Sequence, residues 1–223
     1  MIDFSQVFVL FKNIEPQIEY FGRTLARGPY YEVREVKLLN YSKIMAAKLI
    51  KKHNDWNCGE MVAVKELRGS NIIKIYKTIF TEYNDEKYVL VIMEKGLFQD
   101  LRKLTDLYLH NNLLKLIYDP FDEKIGDNFL RFFARQIIDG LELLNRNYYV
   151  HFDIKPENLI ITIDLNIKIS DFSLLTKIKD NEKVKIPGGT LGYLTQEYFK
   201  KERVTSEVAR KQDYFALGST LFF

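Results

Sequence analysis

Apolar and polar positions divide the chain into two halves with different periods. Tyr20 to Val36 and Ser42 to Ile50 have the composition of strands, and Gly28-Pro29 is the turn signal inside the first stretch. Asp55 to Leu67 reads as a helix, because Met61, Val64 and Leu67 recur at helical spacing and Gly69-Ser70-Asn71 ends the run. Ile72 to Thr81 and Lys87 to Met93 read as two further strands around the polar turn Glu82 to Glu86. The second half is helical first. Asp127 is placed to cap a long helix whose Leu130, Phe133, Ala134, Ile137, Leu141 and Leu144 form one apolar face. Two short strands follow, Leu159 to Thr162 and Ile167 to Ile169, joined through Asp164-Leu165-Asn166. Leu107 to Ile125 reads as an insertion or loop, and no internal repeat or low-complexity segment is present.

Composition narrows the class without naming a function. A chain of 223 residues holds one domain, or two small lobes sharing a cleft. With 47% hydrophobic and 28% charged residues it has the balance of a soluble globular protein. A net charge of +3, without a basic cluster, argues against nucleic acid or a membrane surface as partner. Charged residues interrupt every apolar run well before the ~20 residues a spanning helix needs. Cys58 is the single cysteine; it excludes an internal disulfide, fits a reducing compartment and reads as a plain thiol. The first residues carry Asp3 and no small-residue cleavage site, unlike a signal peptide. Residues 1–19 therefore read as an extension packed on the domain, and cytoplasm is the expected location, with the nucleus open.

Chemistry gathers around the two short strands. His151-Phe152-Asp153-Ile154-Lys155-Pro156-Glu157-Asn158 precedes the first, and Asp171-Phe172-Ser173 follows the second. Two acids, an amide and a lysine thus stand at the ends of a two-stranded ribbon. Phosphoryl transfer needs such a set: oxygens for Mg²⁺, a base near the attacking hydroxyl and a cation against phosphate.

His151 to Asn158 resembles the catalytic loop of protein kinases, H-R-D-L-K-P-E-N, and Asp171-Phe172-Ser173 resembles their D-F-G. Ala46-Ala47-Lys48 resembles the third-strand lysine motif, and Glu60 falls on the following helix. Val89 to Glu94 resembles the strand entering the hinge, with Met93 as gatekeeper. Gly189 to Glu197 resembles the end of the activation segment, and Asp213 to Gly218 the start of the anchoring helix. The resemblance runs in order from about Tyr20 to Phe223. It implies an α+β, two-lobed kinase-like fold, with a β-rich N-lobe over 20–95 and a helical, incomplete C-lobe over 96–223.

The same resemblance implies a role for each residue. Asp153 would orient the acceptor hydroxyl, and Lys155, a residue typical of serine/threonine kinases, would lie beside the transferring phosphate. Asn158 and Asp171 would hold Mg²⁺ on ATP. Lys48 would hold the α- and β-phosphates, oriented by Glu60. Val33, Ala46 and Ile160 would close on adenine, next to Met93 and Glu94, and Asp100 is a candidate for the ribose. Val64, Ile75, His151 and Phe172 would stack across the lobes.

Four departures from the pattern stand out. Counted back from Lys48, the three loop-glycine positions fall at Ala26, Gly28 and Tyr31, so only Gly28 survives, and Tyr30 or Tyr31 is expected to lie over the site. Phe152 replaces the arginine that pairs with a phosphorylated activation loop, and residues 177–189 contain no Ser, Thr or Tyr. This segment is therefore not expected to be switched by phosphorylation. Ser173 replaces a glycine, and Thr195-Gln196-Glu197 lacks the usual proline. The resemblance also implies that the C-lobe ends within its anchoring helix. Ala216, Leu217, Leu221, Phe222 and Phe223 are then expected to face water unless a missing segment or a partner covers them. The expected activity is ATP-dependent phosphorylation of serine or threonine in protein substrates. A pseudokinase acting as a nucleotide-binding or scaffolding module is the alternative, and a small-molecule kinase is disfavoured by Gly189 to Glu197.

Overall fold

A computed structural model describes residues 4–52, 59–96, 101–102, 123–162, 164–200 and 202–222. Asp100, Cys58 and the stretch 103–122 lie outside the described residues, as does the side chain of Val64. The chain divides into two compact units, Met1–Lys65 with Lys74–Lys95, and Glu66–Ile73 with Gly96–Phe223.

The first unit is built on a five-stranded antiparallel sheet of order β1-β2-β3-β5-β4. Its strands are β1 (Ile18–Arg27), β2 (Tyr31–Leu38), β3 (Met45–Lys52), β4 (Ile75–Tyr83) and β5 (Glu86–Met93). The alternation of β3 decides which face is which. Met45, Ala47 and Leu49 point to one side, where Phe4, Val7, Phe8 and Phe11 of the α1 region (α1, Ser5–Ile14) join Val36, Leu38, Tyr88, Leu90 and Ile92 in one core. Each buried phenylalanine contributes about 2 kcal/mol of apolar burial, so α1 is part of this core. Ala46 and Lys48 point to the other side, where Val89 and Val91 pack with Ile50, Ile75, Phe80 and Met61 of α2 (Gly59–Glu66). Ile72 takes no part in β4; it forms an isolated parallel bridge to Ile169 in the second unit.

The second unit is organised by α3 (Glu123–Arg146) and α5 (Ser206–Phe222), with α4 (Gln196–Lys200) between them in sequence. Around them lie three two-stranded ribbons: β6 (Tyr149–Val150) with β9 (Thr176–Lys177), β7 (Leu159–Ile161) with β8 (Ile167–Ile169), and β10 (Lys183–Lys185) with β11 (Arg203–Thr205). Three expectations need correction here. α3 starts at Glu123, so Asp127 lies within the helix and is no cap. Its buried stripe is Phe133, Ile137, Leu141 and Leu144, while Leu130 is 47% exposed, a turn too early to reach the core. Ala216 and Leu217 are buried, because the inner stripe of α5 already has neighbours in this unit; Tyr214 and Phe215 are the exposed residues.

Candidate active site

The β7–β8 ribbon is pinned from behind before it carries any chemistry. Asn71 donates its amide to the Ile167 carbonyl at 3.0 Å and to Gln136 at 3.1 Å, and Gln136 in turn accepts from the Ile167 N–H. Ile73 N–H donates to the Ile169 carbonyl, and Ile169 N–H to the Asn71 carbonyl. Buried polar groups paired in this way hold one geometry; the Gln136 Nε2 is the member left buried without a partner among the described residues. A Cβ on Gly140 would meet Ile169 at 2.8 Å and the Asn71 carbonyl at 3.0 Å, so glycine is what lets α3 approach.

The loop leading into the ribbon is held by a residue sixty positions away in the chain. Asp213 of α5, fully buried, accepts the backbone N–H of His151 at 2.7 Å and of Phe152 at 2.8 Å. Burial pushes its carboxyl above the ordinary range, opposed by His151 and by those two N–H groups. Phe152 has a φ of 66°, unusual for a bulky side chain, and the two bonds to Asp213 hold this turn. His151 is fully buried. Asp153 N–H donates to its Nδ1, which puts the ring proton on Nε2, facing the Ser170 carbonyl at 3.0 Å. Phe172 stacks edge-on against the same ring, with centroids 5.6 Å apart.

The polar network converges on Asp153. Thr190 donates its hydroxyl to Oδ1 at 2.7 Å and accepts Lys155 Nζ at 2.7 Å, while Lys155 Nζ lies 3.0 Å from Oδ2. Asn158 donates its amide to Oδ2 at 2.9 Å and to the Asp153 carbonyl at 2.7 Å. With the NH₂ so committed, the side-chain oxygen Oδ1 of Asn158 is the atom that can face a cation, while its backbone carbonyl is used within the ribbon. Asn158 is paired across the ribbon with Ser170, whose N–H and hydroxyl both donate to the Asn158 carbonyl. Asp171 is the next residue, with φ 60°, so an amide oxygen and a carboxylate stand at the same end of one ribbon. Among the described residues no group of three or more His, Cys, Asp or Glu is placed to hold a metal by itself. Mg²⁺ suits such a sparse donor set, since it takes one or two carboxylates and leaves the rest to water and phosphate.

Phe152 sits in an apolar core of the second unit. It shares one buried cluster with Val150, Ile178, Ile186, Val204 and Ala209, so residues 178 and 186 of the segment after the ribbon are anchored in the same core. Arg210 of α5 adds an ion pair to Asp180 at 2.7 Å. Ser173 has no positive φ; the left-handed turn is taken by Asp171, so the Cβ at 173 is tolerated.

In the first unit, the ladder places Val33 opposite Lys48, and Ala46 opposite Met93. Lys48 is buried and lies 3.2 Å from Glu60. The other carboxylate oxygen of Glu60 is buried without a hydrogen-bond partner among the described residues. Glu94 N–H donates to the Lys74 carbonyl, fixing the end of β5. Gly28 N–H bonds back to the Tyr31 carbonyl at 2.9 Å and closes the β1–β2 turn. Ile160 lies on β7, opposite Lys168 in the second unit. Thr190 and Asp213 were not singled out as site residues from sequence. Their only advance signal was membership of the Gly189–Glu197 and Asp213–Gly218 motifs.

The protein kinase domain family matches residues 20–223. This chain belongs to the protein kinase family. It is similar to serine/threonine-protein kinase MRCK beta of Rattus norvegicus, 24% identical over 206 residues, and to MRCK alpha of Homo sapiens, 24% over 208. It is also similar to rhodopsin kinase GRK1 of Rattus norvegicus, 32% identical over 209 residues. Each match covers 90% of this chain but only 11% of either MRCK protein and 34% of the rhodopsin kinase. The antiparallel five-stranded sheet with α2, and the mainly helical second unit, are the α+β architecture of this family. No helix among the described residues is long and apolar enough to cross a membrane.

Proposed function

We propose that this chain transfers the γ-phosphate of ATP to serine and threonine hydroxyls of protein substrates. The observation that carries the reading is the network on Asp153. One carboxylate oxygen takes the Thr190 hydroxyl and the other takes Lys155 and Asn158; Asp153, Lys155 and Asn158 sit on one loop held by Asp213, and Thr190 reaches it from 37 residues away. Asp153 so held orients an acceptor hydroxyl and accepts its proton. Lys155 places positive charge beside the transferring group. Asn158 and Asp171 are the residues to hold Mg²⁺, which would neutralise phosphate charge when bound.

The first unit supplies the nucleotide's holders. Lys48, oriented by Glu60, takes the α- and β-phosphates, and Val33, Ala46 and Met93 line the adenine side, joined by Ile160 and Glu94. Gly28 allows backbone to approach phosphate. Asp100 remains the candidate for the ribose. Residues 20–95 are thus read as the nucleotide-holding lobe and 96–223 as the catalytic one. The relatives named serine/threonine-protein kinases support this reading, which puts the chain in the cytoplasm or nucleus, where ATP and protein substrates are at hand.

Phosphorylation is not the switch in this reading. Phe152 and the apolar residues Ile178 and Ile186 dock the segment where relatives of the family use arginine and phosphate. A phosphate on Thr190 would break the bonds to Asp153 and Lys155. The pseudokinase alternative draws on one observation, the loss of two of the three loop glycines.

The test is transfer of labelled phosphate from Mg²⁺ and ATP to a generic basic protein, followed by phosphoamino-acid analysis. Label on serine and threonine, reduced about 10²- to 10⁴-fold by Asp153→Asn, is the expected result. Equal labelling by parent and variant, or none while ATP still raises the melting temperature, would identify a pseudokinase.

A further inference from the structure

The β1–β2 turn holds a residue that the family pattern does not account for. Tyr31 stands at the third loop-glycine position, where a hydrogen atom would leave space for phosphate. Its ring does not point away into solvent. A Cβ built on Gly28 would lie 2.4 Å from Tyr31 Cε1 and 2.9 Å from both Cδ1 and Cζ, so the ring lies flush against the glycine. The Lys48 ammonium also faces the ring, at 5.4 Å from the centroid, within range of a cation–π attraction. One aromatic ring therefore touches both the backbone that must approach phosphate and the lysine that must bind it. Tyr30, its neighbour, is 55% exposed.

The frame around the ring is rigid. Glu32, whose side chain is fully buried, receives Thr24 at 3.0 Å, Arg27 at 2.8 Å and Arg34 at 2.6 Å, locking β1 to β2 just behind the turn. Gly28 N–H bonds the Tyr31 carbonyl, and Lys51 N–H bonds the Tyr30 carbonyl. With both strands held, clearing the ground over Lys48 requires the side chain of Tyr31 to move, not the backbone.

Resting on the nucleotide-site reading above, we propose that Tyr31 is a built-in gate on the phosphate seat. Its ring lies over Lys48 and swings aside when a triphosphate takes its place. The gate acts on phosphates and not on the base, because Tyr31 faces Lys48, whereas Ala46 and Met93, on the adenine side in that reading, pair with each other two residues away along β3.

Calorimetric titration of the chain with ATP and Mg²⁺, and separately with adenosine, tests this. Tyr31→Gly is expected to bind ATP about three- to thirtyfold more tightly, the reach of one cation–π contact displaced. Tyr31→Phe keeps the ring and should match the parent, and adenosine affinity should be the same in all three. Tyr31→Ala guards against loss of fold from a strand glycine and should tighten ATP in the same direction. ATP affinity unchanged or weakened in folded Tyr31→Gly and Tyr31→Ala, with Lys48→Met still weakening the parent, would overturn the gate and leave the nucleotide site standing. Equal tightening for adenosine would also overturn it, since the ring would then block the whole site. No ATP binding by parent or any variant would remove the nucleotide reading, and the gate with it.

Discussion

The loop around Asp153 and the β1–β2 turn are each proposed to serve phosphate chemistry, yet they are built on opposite plans. Around Asp153 every functional side chain has a named partner, and the loop is fastened by Asp213 through two buried backbone bonds. At the β1–β2 turn the need is for empty space, and an aromatic ring fills much of it. Groups that must be present are conspicuous in a fold because each requires its own support. Space that must be absent of atoms has no supporting residue, so one side chain can take it over without disturbing the framework.

This contrast breaks if the catalytic loop proves tolerant of substitution. The largest stability loss is expected from Asp213→Ala, which leaves two buried N–H groups unpaired at about 1–3 kcal/mol each. Urea unfolding should show it, and a loss below about 1 kcal/mol would mean the loop is held by something else. Phe152→Ala should cost about 3 kcal/mol through the cavity left among Val150, Ile178 and Ile186. It should also speed proteolysis within 178–186, because the segment loses its apolar dock.

The turn should respond differently, to pH more than to truncation. Burial alone would raise the Glu32 carboxyl, but hydrogen bonds from Arg34, Thr24 and Arg27 outweigh it and hold the group below its ordinary 4.5. A depressed folded value means stabilisation that is complete above about pH 4.5 and lost as pH falls through the folded value. Glu32→Gln should therefore lower the melting temperature at neutral pH and flatten the loss of stability below about pH 4.5. A parent and variant with parallel acid profiles would contradict the assignment. The smallest effect is expected at Arg210→Ala: Asp180 is 60% exposed, so this ion pair is worth less than about 1 kcal/mol. A larger loss would give the pair a share in docking the segment that we assign to Phe152.

Much of this was legible in the sequence, for identifiable reasons. Strands β2, β3 and β5 have alternating or continuous apolar runs, and the Gly28-Pro29 turn separates β1 from β2. Asp153, Lys155 and Asn158 fall within six residues, so a local motif exposes them. Thr190 is 37 residues from Asp153, and Asp213 is 61 from Phe152; such partners come together only through tertiary packing. The cap assigned to Asp127 failed because α3 begins at Glu123, in a stretch whose polar residues give no periodic signal. The exposed end expected at Ala216 and Leu217 failed for a related reason. Apolarity alone does not say which face of α5 packs inward, and the outer stripe proved to be Tyr214 and Phe215. That Tyr30 or Tyr31 would lie near Lys48 followed from the register of the turn with that lysine, whereas the contact of Tyr31 with Gly28 arises from the folded turn itself.

The central claim is that Lys48 and Asp171 serve the binding of ATP with Mg²⁺, and ATP affinity in a double-mutant cycle tests it most directly. Dissociation constants would be measured with and without Mg²⁺ for the parent, Lys48→Met, Asp171→Asn and the pair. The account predicts that each single change weakens ATP in Mg²⁺ by about tenfold or more, and that Asp171→Asn abolishes the gain from Mg²⁺. Parent-like affinity in either single variant, with Mg²⁺ still strengthening ATP in Asp171→Asn, would contradict it.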